Sequence, residues 1–164
     1  MNRNLNRRIH PIAKANGLSP KFHCKELMVG DFCRSGHGFP MQITNVGDDY
    51  AYATFEGNEG EPWEFDDKDE QPQPIEITGD IMRKNNWEEH SYPLPHNLKQ
   101  HYYVKDEGEN HLMWKQGMLA ILPNCKKSND GVYADIVISC KYVHQLQQVL
   151  RLAGMTELAN NFKI

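Results

Sequence analysis

The side chains able to do chemistry fall in three places. The stretch "HCKELMVGDFCRSGH" brings together His23, Cys24, Cys33 and His37, two imidazoles and two thiols of the types that hold tetrahedral zinc. Eight residues separate the two cysteines and three separate Cys33 from His37, with no CxxC knuckle. That spacing favours thiols acting as small buried hydrophobes, so no metal and no other cofactor is expected. The stretch "KYVHQLQQVLRLAGMTELA" carries a lone histidine, His144, one residue off an apolar stripe. A general base needs an orienting partner and the sequence offers none, so the ring is expected to cap a backbone carbonyl where a helix meets a sheet. The third set is aromatic and cationic. Tyr50, Tyr52 and Trp63 fall on neighbouring predicted strands, where rings can stack on a peptide or an unstacked base. With Arg3, Arg7 and Arg8 they are the candidate ligand-binding residues. The competing reading is that they are half-buried sheet residues, because Tyr and Trp suit pleated surfaces.

No catalytic residue is assigned. A glycine-rich phosphate loop, a GxSxG elbow and an HExxH helix are all missing from the sequence. The run Glu56–Glu70 holds eight acids and one lysine without the Asp-x-Asp-x-Asp-Gly order of a calcium loop. It reads as a solvated face or as the docking site of a basic segment.

The elements that must position these residues follow from periodicity and turn chemistry. Residues 1–20 read as a basic arm, with Asn16-Gly17 and Ser19-Pro20 as turn signals. From 21 to 70, a tight turn at Val29-Gly30-Asp31 and short strands near Phe32–Arg34, Met41–Val46, Tyr50–Phe55 and Pro62–Phe65 form a meander, which is expected to curl into an SH3-like small β-barrel. "DDKDEQPQP" separates it from a second lobe, 71–164. There a strand at Ile75–Ile77 precedes a two-turn helix with Thr78 as N-cap and Asn85-Asn86 as stop. A hairpin turns through Asp106–Asn110, "GMLAILPN" is a buried strand, and a turn at Asn129-Asp130-Gly131 leads to Val132, Ala134, Ile136 and Ile138 on one face. In the closing helix Val143, Leu146, Leu150 and Ala153 recur at helical spacing, Gly154 stops it, and Thr156 with Glu157 caps one more turn. The fold class is therefore α+β and β-rich: a small barrel, then an antiparallel sheet with a short helix and a C-terminal helix.

Composition agrees with a polar, turn-rich chain. Its 164 residues are 39% hydrophobic, with 12 glycines, 9 prolines and 16 aromatics, and the mean hydropathy is -0.71. No 18-residue apolar run and no signal-like apolar centre at the N-terminus occur, so a cytoplasmic protein without a membrane partner is expected. Four sparse cysteines predict free thiols. The net charge of -4 is split: residues 1–25 hold six Lys/Arg and no acid, leaving twelve basic side chains against all twenty-two acidic ones. Such an arm docks on its own body, on a neighbouring subunit or on nucleic acid.

Three blocks carry a family resemblance. "KELMVGDFC", "PIEITGDIMRKNNW" and "KYVHQLQQVLRLAGMTEL" are similar to the opening, central and closing blocks of a family of small uncharacterised proteins from Bacteroidales genomes, phages and mobile elements. The resemblance spans roughly residues 24–159. It implies a phage or mobile-element origin and brings no activity with it. The leading expectation is a non-enzymatic binding or accessory protein acting in the bacterial cytoplasm through protein contacts, as a homo-oligomer. A phage anti-defence protein that sequesters a nucleotide-like signal is the second, and nucleic-acid binding through the arm, disfavoured by the acidic body, is the third.

Overall fold

A computed structural model describes residues 22–58, 60–68, 70–123 and 136–164. The basic arm, Cys125 and the expected turn at 129–131 lie outside them, as do Val132 and Ala134. The first sheet is an antiparallel meander, in chain order, of β1 (Phe32–Arg34), β2 (Pro40–Val46), β3 (Tyr50–Thr54) and β4 (Trp63–Asp66). Alternation decides its faces. Cys33, Met41, Ile43, Ala51, Ala53 and Phe65 point inward and close over Phe22 and Leu27 from the segment before the sheet. A register shift between Ile43 and Asn45 adds twist to β2.

The expected SH3-like barrel meets an open sheet instead: β1 and β4 do not pair, and no closed barrel occurs among the described residues. The chain beyond β4 spans the gap with isolated bridges. Asp66 and Glu70 exchange backbone N–H···O bonds at 3.1 Å each, and Arg34 and Gln73 exchange them at 2.8 and 2.9 Å. Pro72 and Pro74 have no N–H to donate, so a continuous ladder cannot form here.

The second sheet is also antiparallel and in chain order: β5 (Glu88–Pro93), β6 (Lys99–Glu107), β7 (Asn110–Lys115), β8 (Met118–Pro123) and β9 (Ile136–Ser139). Before it, Ile75–Ile77 forms no strand. Ile77 N donates to Lys141 O and Val143 N donates to Ile75 O, giving a single bridge between Glu76 and Tyr142. Helix α1 (Gly79–Lys84) begins as expected, with Thr78 Oγ1 accepting from Ile81 N at 3.3 Å, and stops at Asn85 before Asn86 turns left-handed at φ +59.

Helix α2 (Val143–Leu152) covers one face of this sheet. Its fully buried Val143, Leu146 and Leu150 meet Leu112, Leu119 and Ile121, with Met82 and Trp87 completing the cluster. The helix ends in a Schellman motif. Gly154, at φ +81, donates to Arg151 O at 3.0 Å, and Met155 N donates to Leu150 O at 2.8 Å. Helix α3 (Thr156–Asn160) follows, with Met155 rather than Thr156 at its N-cap. No helix among the described residues is long and apolar enough to cross a membrane.

Leu146 is fully buried in the cluster that joins α2 to the second sheet. Leu146→Ala is expected to cost about 2–5 kcal/mol, read as a lower urea midpoint at unchanged slope. A loss under about 1 kcal/mol would contradict this packing.

Candidate functional site

The closing block and the opening block meet in space. Residues Met28–Asp31 form a turn in which Asp31 N donates to Met28 O at 3.0 Å, and Gly30, at φ +89, holds the position that needs a left-handed residue. The Asp31 side chain is fully buried. Its Oδ2 accepts from Met28 N at 2.9 Å and Gln148 Nε2 at 2.6 Å, and its Oδ1 accepts from Arg151 Nη1 at 2.5 Å. Gln147, also fully buried, donates to Gly30 O and Ala159 O at 3.0 Å each and accepts from Phe32 N at 2.9 Å. A Cβ on Gly30 would lie 2.9 Å from Arg151 Nη2. Every polar residue on this face of α2 therefore serves the junction with the first sheet. Gln145 caps the helix, accepting from Lys141 N and Tyr142 N.

His144 is buried beside this junction. Its ring stacks on Phe22, with centroids 4.8 Å apart, and on Tyr142 at 5.9 Å. It forms an aromatic stack in place of the expected carbonyl cap, and Nδ1 has no hydrogen-bond partner among the described residues. Burial pulls its pKa below the ordinary 6.5, while the carboxylates of Asp31 and Glu26 pull it upward.

The four metal-type residues do not converge, and no group of three or more His, Cys, Asp or Glu that could hold a metal ion occurs among the described residues. Cys24 and Cys33 are buried free thiols in the first core, and Cys140 is buried in the second. Burial pushes the Cys24 thiol up to about 12, helped by the Asp67 carboxylate, pushes Cys140 up to about 12, and raises Cys33 further. They are protonated, inert groups. His23 Nδ1 lies 3.1 Å from Asp67 Oδ2, whose partner oxygen accepts from Cys24 N at 2.8 Å. Desolvation raises the Asp67 pKa, but these bonds outweigh it and hold the carboxyl below its usual range. Among the described residues, His37 meets the edge of Trp63, at 6.1 Å.

The aromatic set is divided. Tyr52 pairs with Glu64 and Ala53 with Trp63, and residues directly opposite in an antiparallel pair share a face. Trp63 thus lies on the core side, while Tyr50 and Tyr52 form an edge-to-face pair at 5.6 Å on the outer side. The three rings cannot line one pocket. Arg3, Arg7 and Arg8 lie outside the described residues.

A second aromatic set went unread in the sequence. On the face of the second sheet away from α2, His90 stacks on Tyr102 at 5.4 Å and Tyr92 lies 6.2 Å from the same ring. Lys115 Nζ sits 4.6 Å over the Tyr92 ring and donates to its hydroxyl, which donates to Gln100 Oε1. On the same face by register are Met118 and Val137, 43% and 57% exposed. The alternating Gln100 and Tyr102 in "KQHYYVKDE" were the available signal. The polar "EEHSYP" gave no strand on which to place His90 and Tyr92 beside them.

One cleft of about 500 Å³ lies between the edge of the first sheet, the segment 73–78 and α1, lined by Arg34, Gln73, Glu76, Thr78, Tyr142 and apolar residues including Ile75. Thr78 Oγ1 is engaged as the α1 cap. The lining of the cleft includes a guanidinium, a carboxylate and a phenol beside the apolar residues. Compared with known protein families, curated proteins and solved structures, the chain finds no match.

Asp31→Ala strands the Arg151 guanidinium and is expected to cost about 3–5 kcal/mol. Adding Arg151→Met should recover part of it, a coupling of about 0.5–3 kcal/mol in urea titrations, whereas additive losses would dissolve the pairing. The His144 pKa is lowered in the native state, so as pH falls through about 6.5 the unfolded chain binds a proton that the native chain refuses. Stability is complete above that pH and declines below it. Between about pH 7.5 and 5.5 the wild type should lose more stability than His144→Phe; equal slopes would remove burial of a neutral ring as the cause.

Proposed function

We propose that this is a non-enzymatic binding or accessory protein that acts in the bacterial cytoplasm through protein contacts, a second copy of itself included. The observation that carries this reading is the exposed face of the second sheet, where Tyr92, Tyr102, His90 and Lys115 adjoin exposed Met118 and Val137. Aromatic rings beside exposed apolar side chains are the composition of interface anchors. The resemblance of the three sequence blocks to small proteins of Bacteroidales phages and mobile elements supports an accessory role in that setting. An SH3-like kinship of the first sheet is supported by its meander order and by the bridges that span its two edges. A nucleotide-sequestering role draws less support, because Tyr50 and Tyr52 stand on the opposite face from Trp63.

The test uses tagged full-length protein in host cells, compared with a Tyr102→Ala/Val137→Glu variant of unchanged melting temperature. Partner retention should be present in the wild type and fall at least about tenfold in the variant, or, where the partner is a second copy, a solution mass above 19.0 kDa should drop to that of one chain. Equal behaviour of the two proteins refutes the surface. Turnover of a nucleotide or peptide panel by the purified protein refutes the non-enzymatic reading.

A further inference from the structure

The outer face of the first sheet differs in chemistry from the face just described. Between Ser35 and Asp67 the sequence holds eight carboxylates and no Lys or Arg. The register places Tyr50 opposite Asp66 and Tyr52 opposite Glu64 on this face. Asp48 and Asp49, both exposed, lie in the turn beside them. None of Asp48, Asp49, Glu64 and Asp66 has an ion-pair partner among the described residues. The two rings are held in place. Tyr50, 39% exposed, lies against Gly47, where a Cβ would come within 2.2 Å of its Cε1, and its edge meets Tyr52. Asp66 Oδ1 accepts from Lys68 N at 2.6 Å, which leaves its other oxygen and the carboxylates of Asp48, Asp49 and Glu64 without a cation among the described residues. Rings flanked by such carboxylates are a receptor for guanidinium and ammonium groups, which bind an aromatic face and an anion together.

The chain supplies such groups at this place. Residues 1–21 contain Arg3, Arg7, Arg8, Lys14 and Lys21 and no acid. Their root is fixed on the core side of the first sheet, at the end that carries Asp48 and Asp49: Phe22 is buried in the first core, His23 and Cys24 bond to Asp67, the residue after β4, and Asp67 N donates to Asp49 O at 3.1 Å. The face spans roughly 13 Å along a four-residue strand, and 21 residues reach roughly 70 Å when extended. A segment tethered so close is present at about millimolar effective concentration, which favours its own chain over a second copy.

We propose that the basic segment 1–21 docks in cis on the Tyr50, Tyr52, Glu64 and Asp66 face of the first sheet. The acidic face then competes with any external polyanion for Arg3, Arg7 and Arg8, which makes the segment's availability to nucleic acid a regulated property rather than a constant one.

The test is zero-length carbodiimide cross-linking of the full chain, with isotopically light and heavy protein mixed and Lys14 as the reporter. Lys14 is expected to link to Asp48, Asp49, Glu64 or Asp66 within one chain. The links should fall at least about tenfold at about 1 M salt, where screening acts within about 3 Å, and also in a folded Glu64→Gln/Asp66→Asn variant. Tryptic cleavage after Arg7 and Arg8 should be faster in Tyr52→Ala than in the wild type at equal melting temperature. Links confined to other carboxylates, mixed light–heavy pairs, no Lys14 links at all, or cleavage rates insensitive to Tyr52 would each overturn the proposal, the mixed pairs by making a second copy the occupant.

Discussion

The structure depends on how one buried carboxylate is satisfied. Asp31 is withdrawn fully from solvent, and an ion in that position is tolerated only when charge and hydrogen bonds replace the water it loses. One donor is local, the Met28 amide; the other two, Gln148 and Arg151, come from a helix near the far end of the chain. The turn that opens the first sheet is therefore complete only when that helix is in place. Gln147 repeats the arrangement with a neutral amide, tying Gly30, Phe32 and Ala159 together through three bonds.

This gives α2 two unlike faces with two unlike partners. Val143, Leu146 and Leu150 exclude water against the second sheet, while Gln147, Gln148 and Arg151 replace water for the first. Apolar burial supplies most of the non-directional stabilisation. The polar face supplies registry, because amide and guanidinium donors accept only one placement of the turn. With these polar side chains engaged in this way, α2 serves architecture.

Much of the fold could be read in the sequence where periodicity and punctuation agreed. The α2 stripe through Val143, Leu146 and Leu150 with its Gly154 stop, the Thr78 cap and the hairpin through Gly108 appear as anticipated, because each rests on local physics, whereas Ala153, expected on the stripe, is exposed at the C-cap. Strand β5 was not legible: Glu88–Pro93 is polar throughout and owes its conformation to pairing with β6. The barrel expectation reached further than the four strands, because closure depends on edge pairing, and among the described residues only the isolated bridges Asp66–Glu70 and Arg34–Gln73 lie between β4 and β1. For the candidate sites, alternation correctly put Tyr50 and Tyr52 together, but the register that sends Trp63 to the opposite side is a property of two strands and leaves no mark in either alone. The pairing of Asp31 with Arg151 spans 120 residues, and no local pattern signals it.

That span also orders events during synthesis. A ribosome adding about 5–20 residues per second takes roughly 6–24 s to travel from the aspartate to its arginine. Throughout that interval the emerging first sheet carries a carboxylate with nowhere dry to go. The corner at Met28–Asp31 must stay hydrated until α2 leaves the exit tunnel, so the turn that opens the first sheet takes its finished form only after α2 has been made.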